Sequence, residues 1–297
     1  MSENEEIKTD ITFAEEVEQS LRKKFKKSIF SKFAKAINIY DLLQPGDSVA
    51  VCISGGKDSM LLAKCFQELK RHNKFEFDVK FIVMDPGYTP ANRKQIENNA
   101  RKLNIPIEIF ESEIFDSVFQ IEKNPCYLCA RMRRGYLYSY ARELGCNKIA
   151  LGHHYDDVIE TILMGMLYGA QMQSMMPKLH STNFEGMELI RPLYLVRQDD
   201  IIAWRDYNKL EFLQCACKFT EANADSNNEQ TSKRLETRQL IRKLKETNPF
   251  VESNIFKSAE NVCLDTLICY KTGGQKHHFL DTYDGKNGEY PGKEENS

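Results

Sequence analysis

The stretch Ser48 to Leu62 reads SVAVCISGGKDSMLL, and within it Ser54 to Ser59 gathers groups suited to holding an anion. Gly55 and Gly56 can adopt backbone angles closed to other residues, which turns successive amide N–H groups toward one point. Lys57 adds a point charge, Ser54 and Ser59 add hydroxyl donors, and Asp58 offers a hard oxygen ligand for magnesium. A helix that begins after the turn presents its positive end to the same point, so phosphate is the anion that fits. Two adjacent glycines alone would signify only a tight turn; the six residues together carry the reading. Cysteines form the second set. Cys126 and Cys129, in NPCYLCARMRRG, are spaced to grip one metal centre, and Cys215 and Cys217 follow far downstream in FLQCACKFTE. A lone C-x-x-C serves structural zinc, a redox pair or an iron–sulfur cluster. Closed zinc coordination wants four ligands, whereas a pair plus one further thiolate suggests a cluster with one iron left open.

These groups need elements to position them. The apolar, β-branched run Val49–Ile53 has the length of a buried strand, and from Met60 onward apolar residues recur at helical spacing, so Ser54–Ser59 is a strand-to-helix turn. QPGD, at residues 44–47, marks a turn before that strand, and residues 13–39 have a helical pattern crowded with cations in LRKKFKK. Further strands are expected at 78–85, 105–111 and 148–154, alternating with helices at 90–104, 130–145 and 156–169. That rhythm predicts an α/β, doubly wound, mostly parallel sheet covered on both faces, with helical N- and C-terminal additions. Ligands of such sheets sit beyond the carboxyl ends of the strands, where the glycine turn, Asp85 and the segment 153–157 all fall. After a methionine-rich, irregular stretch, a strand over 187–196, a helix over 199–210, a basic helix over 231–247 and a last helix over 249–270 are expected. The organisation read from this is a basic helical segment at 1–45, the principal domain at 46–220, a helical region at 221–280 and a disordered tail at 281–297.

With 297 residues the chain can bury a full-sized core. The polar start MSENEEIKTD lacks a signal-peptide core and no apolar run is long enough to span a membrane, so a cytoplasmic protein with no membrane partner is expected. Nine cysteines, an odd number, in a reducing compartment argue against a disulfide framework. Cys52, Cys65, Cys146, Cys263 and Cys269 are read as structural thiols. The net charge of −2 gives no global case for nucleic acid, so any RNA contact must rest on local patches.

A Walker A loop would read G-x-x-x-x-G-K-[ST] and a dinucleotide fold G-x-G-x-x-G; neither occurs at this turn. SGGKDS instead resembles the PP-loop of ATP pyrophosphatases, Rossmann-like enzymes that adenylate a carbonyl or carboxyl oxygen and release pyrophosphate. LGHHYDD, at residues 151–157, supplies a histidine and carboxylates suited to ATP and magnesium, although His153 alone could be a core histidine and Asp156 a helix cap. From about Val49 to Phe219 the chain resembles the tRNA 2-thiocytidine synthetase family (TtcA): a PP-loop, a C-x-x-C pair in an LC-x-R-x-RRG setting, a GHH-x-DD segment and a later cysteine come in this order, and LCARMRRG matches closely. The resemblance implies an enzyme, a tRNA sulfurtransferase that uses ATP. It implies ATP held by Ser54, Gly55, Gly56, Lys57, Asp58, Ser59, Asp85, Gly152 and His153, with Lys57, Asp58 and Asp157 catalytic and Mg2+ on Asp58 and Asp157. It also implies a [4Fe-4S] cluster on Cys126, Cys129 and one downstream cysteine, Cys215 being favoured over Cys217 because it follows an apolar run directly.

Cationic purchase on tRNA is expected from Arg131, Arg133 and Arg134 after the cysteine pair and from Arg234, Arg238 and Arg242, which recur every fourth residue on one helix face. Each cluster alone would be a solvated face. A sulfur donor such as a cysteine desulfurase is the implied second partner, and a homodimer is compatible with the pattern. Two alternatives stand beside this reading: the same chemistry on another tRNA base or a small molecule, and a non-catalytic iron–sulfur sensor that binds ATP.

Overall fold

The structure is a computed structural model. It describes residues 13–72, 76–112, 125–213 and 229–283, with side chains at all of these except 125–131 and 229–232. Residues 284–297 of the expected tail, Cys215 and Cys217 lie outside the described residues, whereas residues 281–283, also read as tail, belong to a one-turn helix, Leu280–Tyr283.

Strand β1 (Ser48–Ile53) is the inner strand around which the sheet is built, and its period-two alternation makes two cores. Val49, Val51 and Ile53 enter one apolar cluster with Met60, Leu61 and Phe66 of helix α3 (Lys57–His72). Ala50 and Cys52 face the other way, into a cluster with Tyr138 and Ala141 of helix α5 (Pro125–Glu143). Helices therefore cover both faces. β1 pairs in parallel with β2 (Asp78–Asp85) on one side and β4 (Lys148–Ala150) on the other, Val49 standing opposite both Val79 and Lys148. Strand β3 (Ile107–Glu111) extends the parallel sheet beyond β2, from which it is separated in sequence by α4 (Pro90–Lys102). Helix α6 (Tyr155–Gly169) leaves β4; β5 (Lys178–His180) and β6 (Glu188–Ile190) follow, then α7 (Gln198–Tyr207). The order is β3-β2-β1-β4-β6-β5, all parallel except the edge strand β5. This is the expected doubly wound architecture.

The N-terminal helix over residues 13–22, termed α1, is joined to α2 (Ser31–Ile39) through a π-helical turn, Lys26–Phe30, rather than running unbroken to Ile39. Val17, Leu21, Ile29 and Phe33 enter the same core as α3, with Phe33 edge-on to Phe66 at 5.5 Å. Buried Lys64 of α3 donates to Glu18 at 2.7 Å and to the Leu103 carbonyl at 2.9 Å, which satisfies the charge that burial would otherwise penalise.

Three local expectations change. The strand read at 187–196 ends at Ile190, because Pro192 lacks a ladder donor and residues 191–196 close into turns (Tyr194 N–H to Arg191 O, 3.1 Å). The methionine-rich stretch before it contributes β5, which the composition concealed. The last expected helix is α9 (Val251–Ser258) only; the chain then forms a hairpin of β7 (Cys269–Thr272) and β8 (Gln275–His278). Gly273 and Gly274 turn that hairpin with φ of 56° and 79°, angles that two glycines in sequence reach without strain. Cys52, Cys65 and Cys146 are buried as expected, whereas Cys269 is half-buried and Cys263 exposed. Helix α8 (Glu229–Thr247) and α9 both lie against α6. Among the described residues no helix is long and apolar enough to cross a membrane.

Candidate active site

Beyond Ile53 the chain turns through Ser54, Gly55 and Gly56, and α3 starts at Lys57, three residues earlier than its apolar pattern indicated. Gly55 has φ +83°, and a Cβ there would also meet Ile96 Cγ1 at 2.7 Å, so glycine is required twice over. Gly56 does not take a positive φ; a Cβ on it would meet nothing closer than 3.7 Å, which leaves its amide open to a ligand's approach. The turn is tied internally: Ser54 N–H donates to Ser59 Oγ at 3.1 Å, and Ser59 Oγ donates to the Gly56 carbonyl at 3.0 Å. Ser59 thus braces the loop as well as facing the cleft. Lys57 Nζ donates to Asp58 Oδ2 at 2.9 Å, while Asp58 Oδ1 is buried without a hydrogen-bond partner.

The neighbouring strand end supplies the other wall. Gly152 passes so near α3 that a Cβ on it would lie 3.1 Å from the Asp58 carbonyl carbon and from Ser59 N. Asp156 and Asp157, adjacent in sequence, divide their work. Asp156 turns away to Arg197 at 3.0 Å and accepts from Gln198 N–H at 2.7 Å. Asp157 caps α6 by accepting from His154 N–H at 3.0 Å and also lines the cleft. Burial acts to raise its pKa, but His154, His153, Arg234 and the capping amide outweigh that and hold the carboxyl below its usual value. His154 is 3% exposed, with Nε2 3.8 Å from Asp58 Oδ1 and 3.6 Å from Asp157 Oδ2, so it stands between the two carboxylates expected to hold magnesium. His153 is pushed down to about 4 by burial first and Arg191 second, and its Nδ1 has no partner.

The turn and the strand end border a cleft of about 480 Å³, within the roughly 300–1,000 Å³ range of small-ligand sites, although Gly55, Gly56, Lys57, His154 and Asp156 are not among its lining residues. Ser54, Asp58, Ser59, Gly152, His153 and Asp157 all line it, as do Arg133 and Arg134 of α5. Asp85 does not: its carboxylate accepts from Gly87 and Tyr88 N–H at 2.8 and 2.7 Å and meets Arg93 at 3.0 Å, so it shapes the turn after β2. Arg238 and Arg234 differ from the expected solvent-facing stripe, pairing with buried Glu160 at 2.7 and 3.1 Å, and only Arg242 of the three is exposed and outside the ion pairs among the described residues. Cys126 and Cys129 fall in the first turns of α5, upstream of Arg133 on the helix that lines the cleft. Arg131 shares that helix.

Sequence reasoning missed two residues here. Arg191, 5% exposed, lines the cleft just past β6, and its position at a strand's carboxyl end is the signal that could have found it. His154 was hidden beside His153. Cys52 also lines the cleft, but burial and then Cys146 raise its pKa, so it is a protonated wall atom and not a nucleophile.

A family model described as a PP-loop domain, ATP_bind_3, matches residues 19–243. The chain is 34% identical over 268 residues to the tRNA-cytidine(32) 2-sulfurtransferase of Syntrophotalea carbinolica, covering 89% of this chain and 94% of that protein. It is 34% identical over 195 residues to the enzyme of the same name from Neisseria meningitidis serogroup C, covering 65% of this chain and 61% of that one. Among solved structures the U34-tRNA thiolase NcsA of Methanococcus maripaludis, with its [4Fe-4S] cluster, shares the fold at TM-score 0.60 and 21% identity, over 77% of this chain and 76% of that one. By the match over residues 19–243 and the identity held over most of both chains, the chain belongs to the PP-loop ATP-binding family and, within it, to the tRNA-cytidine(32) 2-sulfurtransferases.

Proposed function

We propose that the chain is an ATP-dependent tRNA sulfurtransferase that converts cytidine 32 to 2-thiocytidine in the cleft between the Ser54–Ser59 turn and α5. The observation that carries this reading is the meeting in one cleft of an anion-binding helix start, two carboxylates and a cationic helix headed by Cys126 and Cys129. Family membership sets it above a non-catalytic sensor or a different acceptor. The oxygen on C2 of cytosine is a poor leaving group. In the first step it attacks the α-phosphorus of ATP, the bond to the β-phosphate oxygen breaks, and pyrophosphate departs. Lys57 and the N–H groups of Gly56 and the first turn of α3 stabilise the charge that develops on it. Sulfur then adds at C2 and AMP leaves with the former base oxygen. The target base must leave its stack to reach the cleft, at modest cost in an anticodon loop.

The described side chains suit magnesium, and three thiolates are the donor chemistry that suits a cluster. Asp58 Oδ1, buried and unpartnered, and Asp157 would hold magnesium, which draws charge from the phosphates. Leu213 lies against Gly55, its Cδ1 3.1 Å from where a Cβ would stand, so the chain meets the glycine turn two residues before Cys215. Cys126, Cys129 and Cys215 would hold a [4Fe-4S] cluster that offers an open iron to sulfide. A cysteine desulfurase is a suitable sulfur donor, and the cytoplasm a suitable compartment. The test is anaerobic reconstitution with iron and sulfide, then ATP-dependent thiolation of unmodified tRNA. Cys126→Ser, Cys129→Ser and Cys215→Ser are expected to lose chromophore and thiolation yet still bind ATP, and Cys217→Ser to keep all three. A full cluster in Cys215→Ser transfers the ligand role to Cys217; zinc in the parent protein overturns the cluster.

A further inference from the structure

We propose that Arg191, with Arg133 and Arg134, forms a second phosphate site in the cleft, which holds a backbone phosphodiester of the tRNA beside the target nucleotide. The inference rests on the tRNA-thiolation reading and names how the acceptor is held.

Arg191 is 5% exposed, yet among the described residues no carboxylate comes within ion-pair distance of it. One Nη donates to the Met176 carbonyl, and Nε has no partner. A buried cation so poorly satisfied is costly unless something completes it. Burial and, next, the like charge of Arg134 push its pKa down to about 10, the direction expected of an arginine without a counter-ion. Arg133, on the facing helix, also has an unpartnered buried Nε. Three guanidinium groups therefore line one cavity from two elements. The cleft's two carboxylates lie outside ion-pair distance of Arg191: Asp58 meets Lys57 through Oδ2, and Asp157 meets the His154 amide and, at 3.6 Å, Arg234, so Asp157 touches Arg191 only through its field. What completes the cluster is an external anion, and the planar fork of arginine suits phosphate oxygens.

That anion is not the one on the PP-loop. β4 lies between β1 and β6 in the sheet, so at about 4.8 Å per strand Arg191 stands roughly 10 Å from the glycine turn. The turn and Lys57 serve the pyrophosphate end of ATP, while Arg191 serves whatever enters from the α5 side, where the acceptor nucleotide must bring its own backbone. The α-phosphoryl of ATP shares this chemistry and is the rival source.

The test uses the full-length reconstituted protein, a labelled RNA with the sequence of the anticodon stem-loop, and ATP titrated separately. Arg191→Gln and Arg133→Gln are each expected to weaken RNA binding at least tenfold and to lower the slope of log Kd against log salt by about one, with ATP affinity changed less than twofold. Arg191→Lys should recover only part of the loss, because a point charge replaces the fork. If ATP affinity falls tenfold and RNA binding does not, the site belongs to the α-phosphoryl group and the tRNA assignment is overturned. Parent-like affinity for both ligands overturns the site itself. Arg133→Gln carries the test if Arg191→Gln fails to fold. A parent protein that binds the RNA but thiolates nothing fails the catalytic reading and leaves this one standing.

Discussion

Gly152→Ala tests whether the two walls of the cleft are positioned by backbone contact. A Cβ at residue 152 would stand 3.1 Å from Asp58 C and Ser59 N and 3.2 Å from Asp58 O, where ordinary contact begins at 3.4 Å. The atoms in the way are backbone in the first turn of α3, so no side chain can swing aside. Either the strand end or the helix start must move by a few tenths of an ångström. Overpacking of this kind costs about 1–3 kcal/mol, and a loss of about 2 kcal/mol lowers Tm by roughly 3 °C in a chain of this size. The same shift misaligns the α3 amides with Asp157 and His153, and ATP affinity is expected to fall on the order of tenfold. Calorimetric ATP titration beside thermal unfolding reads both effects. Gly56→Ala is the control: its Cβ meets nothing within 3.7 Å, so stability should stay within about 0.5 kcal/mol, while a phosphate resting on the loop makes ATP binding suffer. A Gly152→Ala protein with the parent's Tm and ATP affinity would refute the close-contact reasoning.

Lys57→Ala removes a cation whose partner Asp58 is 30% exposed, so stability should change by less than about 1 kcal/mol while pyrophosphate release falls roughly 100-fold or more; undiminished release at saturating ATP counts against the loop. Arg238→Met leaves buried Glu160 with Arg234 alone and should cost about 1–3 kcal/mol, with faster amide exchange in α8; unchanged protection would show that the pair does not hold the helix. His153, with a folded pKa of about 4 against about 6.5 unfolded, is neutral in the fold where the unfolded chain takes up a proton, so stability falls as pH drops from about 6.5 to 4, by up to about 3 kcal/mol. An NMR titration of His153 with a midpoint near 6.5 would overturn this.

Legibility followed the length of the physical signal. β1 and α3 were readable because a continuous β-branched run gives way to helical periodicity across two glycines, and the parallel order followed from alternation. The glycine turn was legible as a strand-to-helix turn, though its division of labour was not: only the structure separates Gly55, held by φ and Ile96, from Gly56, which is free of both. Asp85 looked like a ligand because it ends a strand, but a short carboxylate followed by Gly87 can close a turn on its own backbone, and it does. The arginines of α8 were evenly spaced, and spacing says nothing of which side a helix presents. Their direction is set by Glu160 on a distant helix, a tertiary fact. The terminal hairpin was readable from Gly273–Gly274, and the apolar residues before it masked the signal.

The same tertiary ion pairs explain why the C-terminal helices concern the site at all. Asp156 and Asp157 project about 100° apart around α6, so the first can bind Arg197 while the second faces the cleft. Arg197 continues to Glu252 at 2.6 Å, and Glu252 to Lys245 at 2.8 Å, which ties α6 to both α8 and α9. Glu160, one turn farther along, takes Arg234 and Arg238. The apolar stack of Tyr155 on Phe256, 4.5 Å between centroids, closes the same junction. Thus the helix that bears Asp157 is held on its outer side by charges and a ring stack contributed from beyond the sheet. A carboxylate that must meet a divalent ion within a fraction of an ångström needs such backing, because a side chain is only as well positioned as the element that carries it. The helical addition is therefore part of the cleft's geometry, and among the described residues it reaches the carboxylates proposed for magnesium through Arg234, 3.6 Å from Asp157.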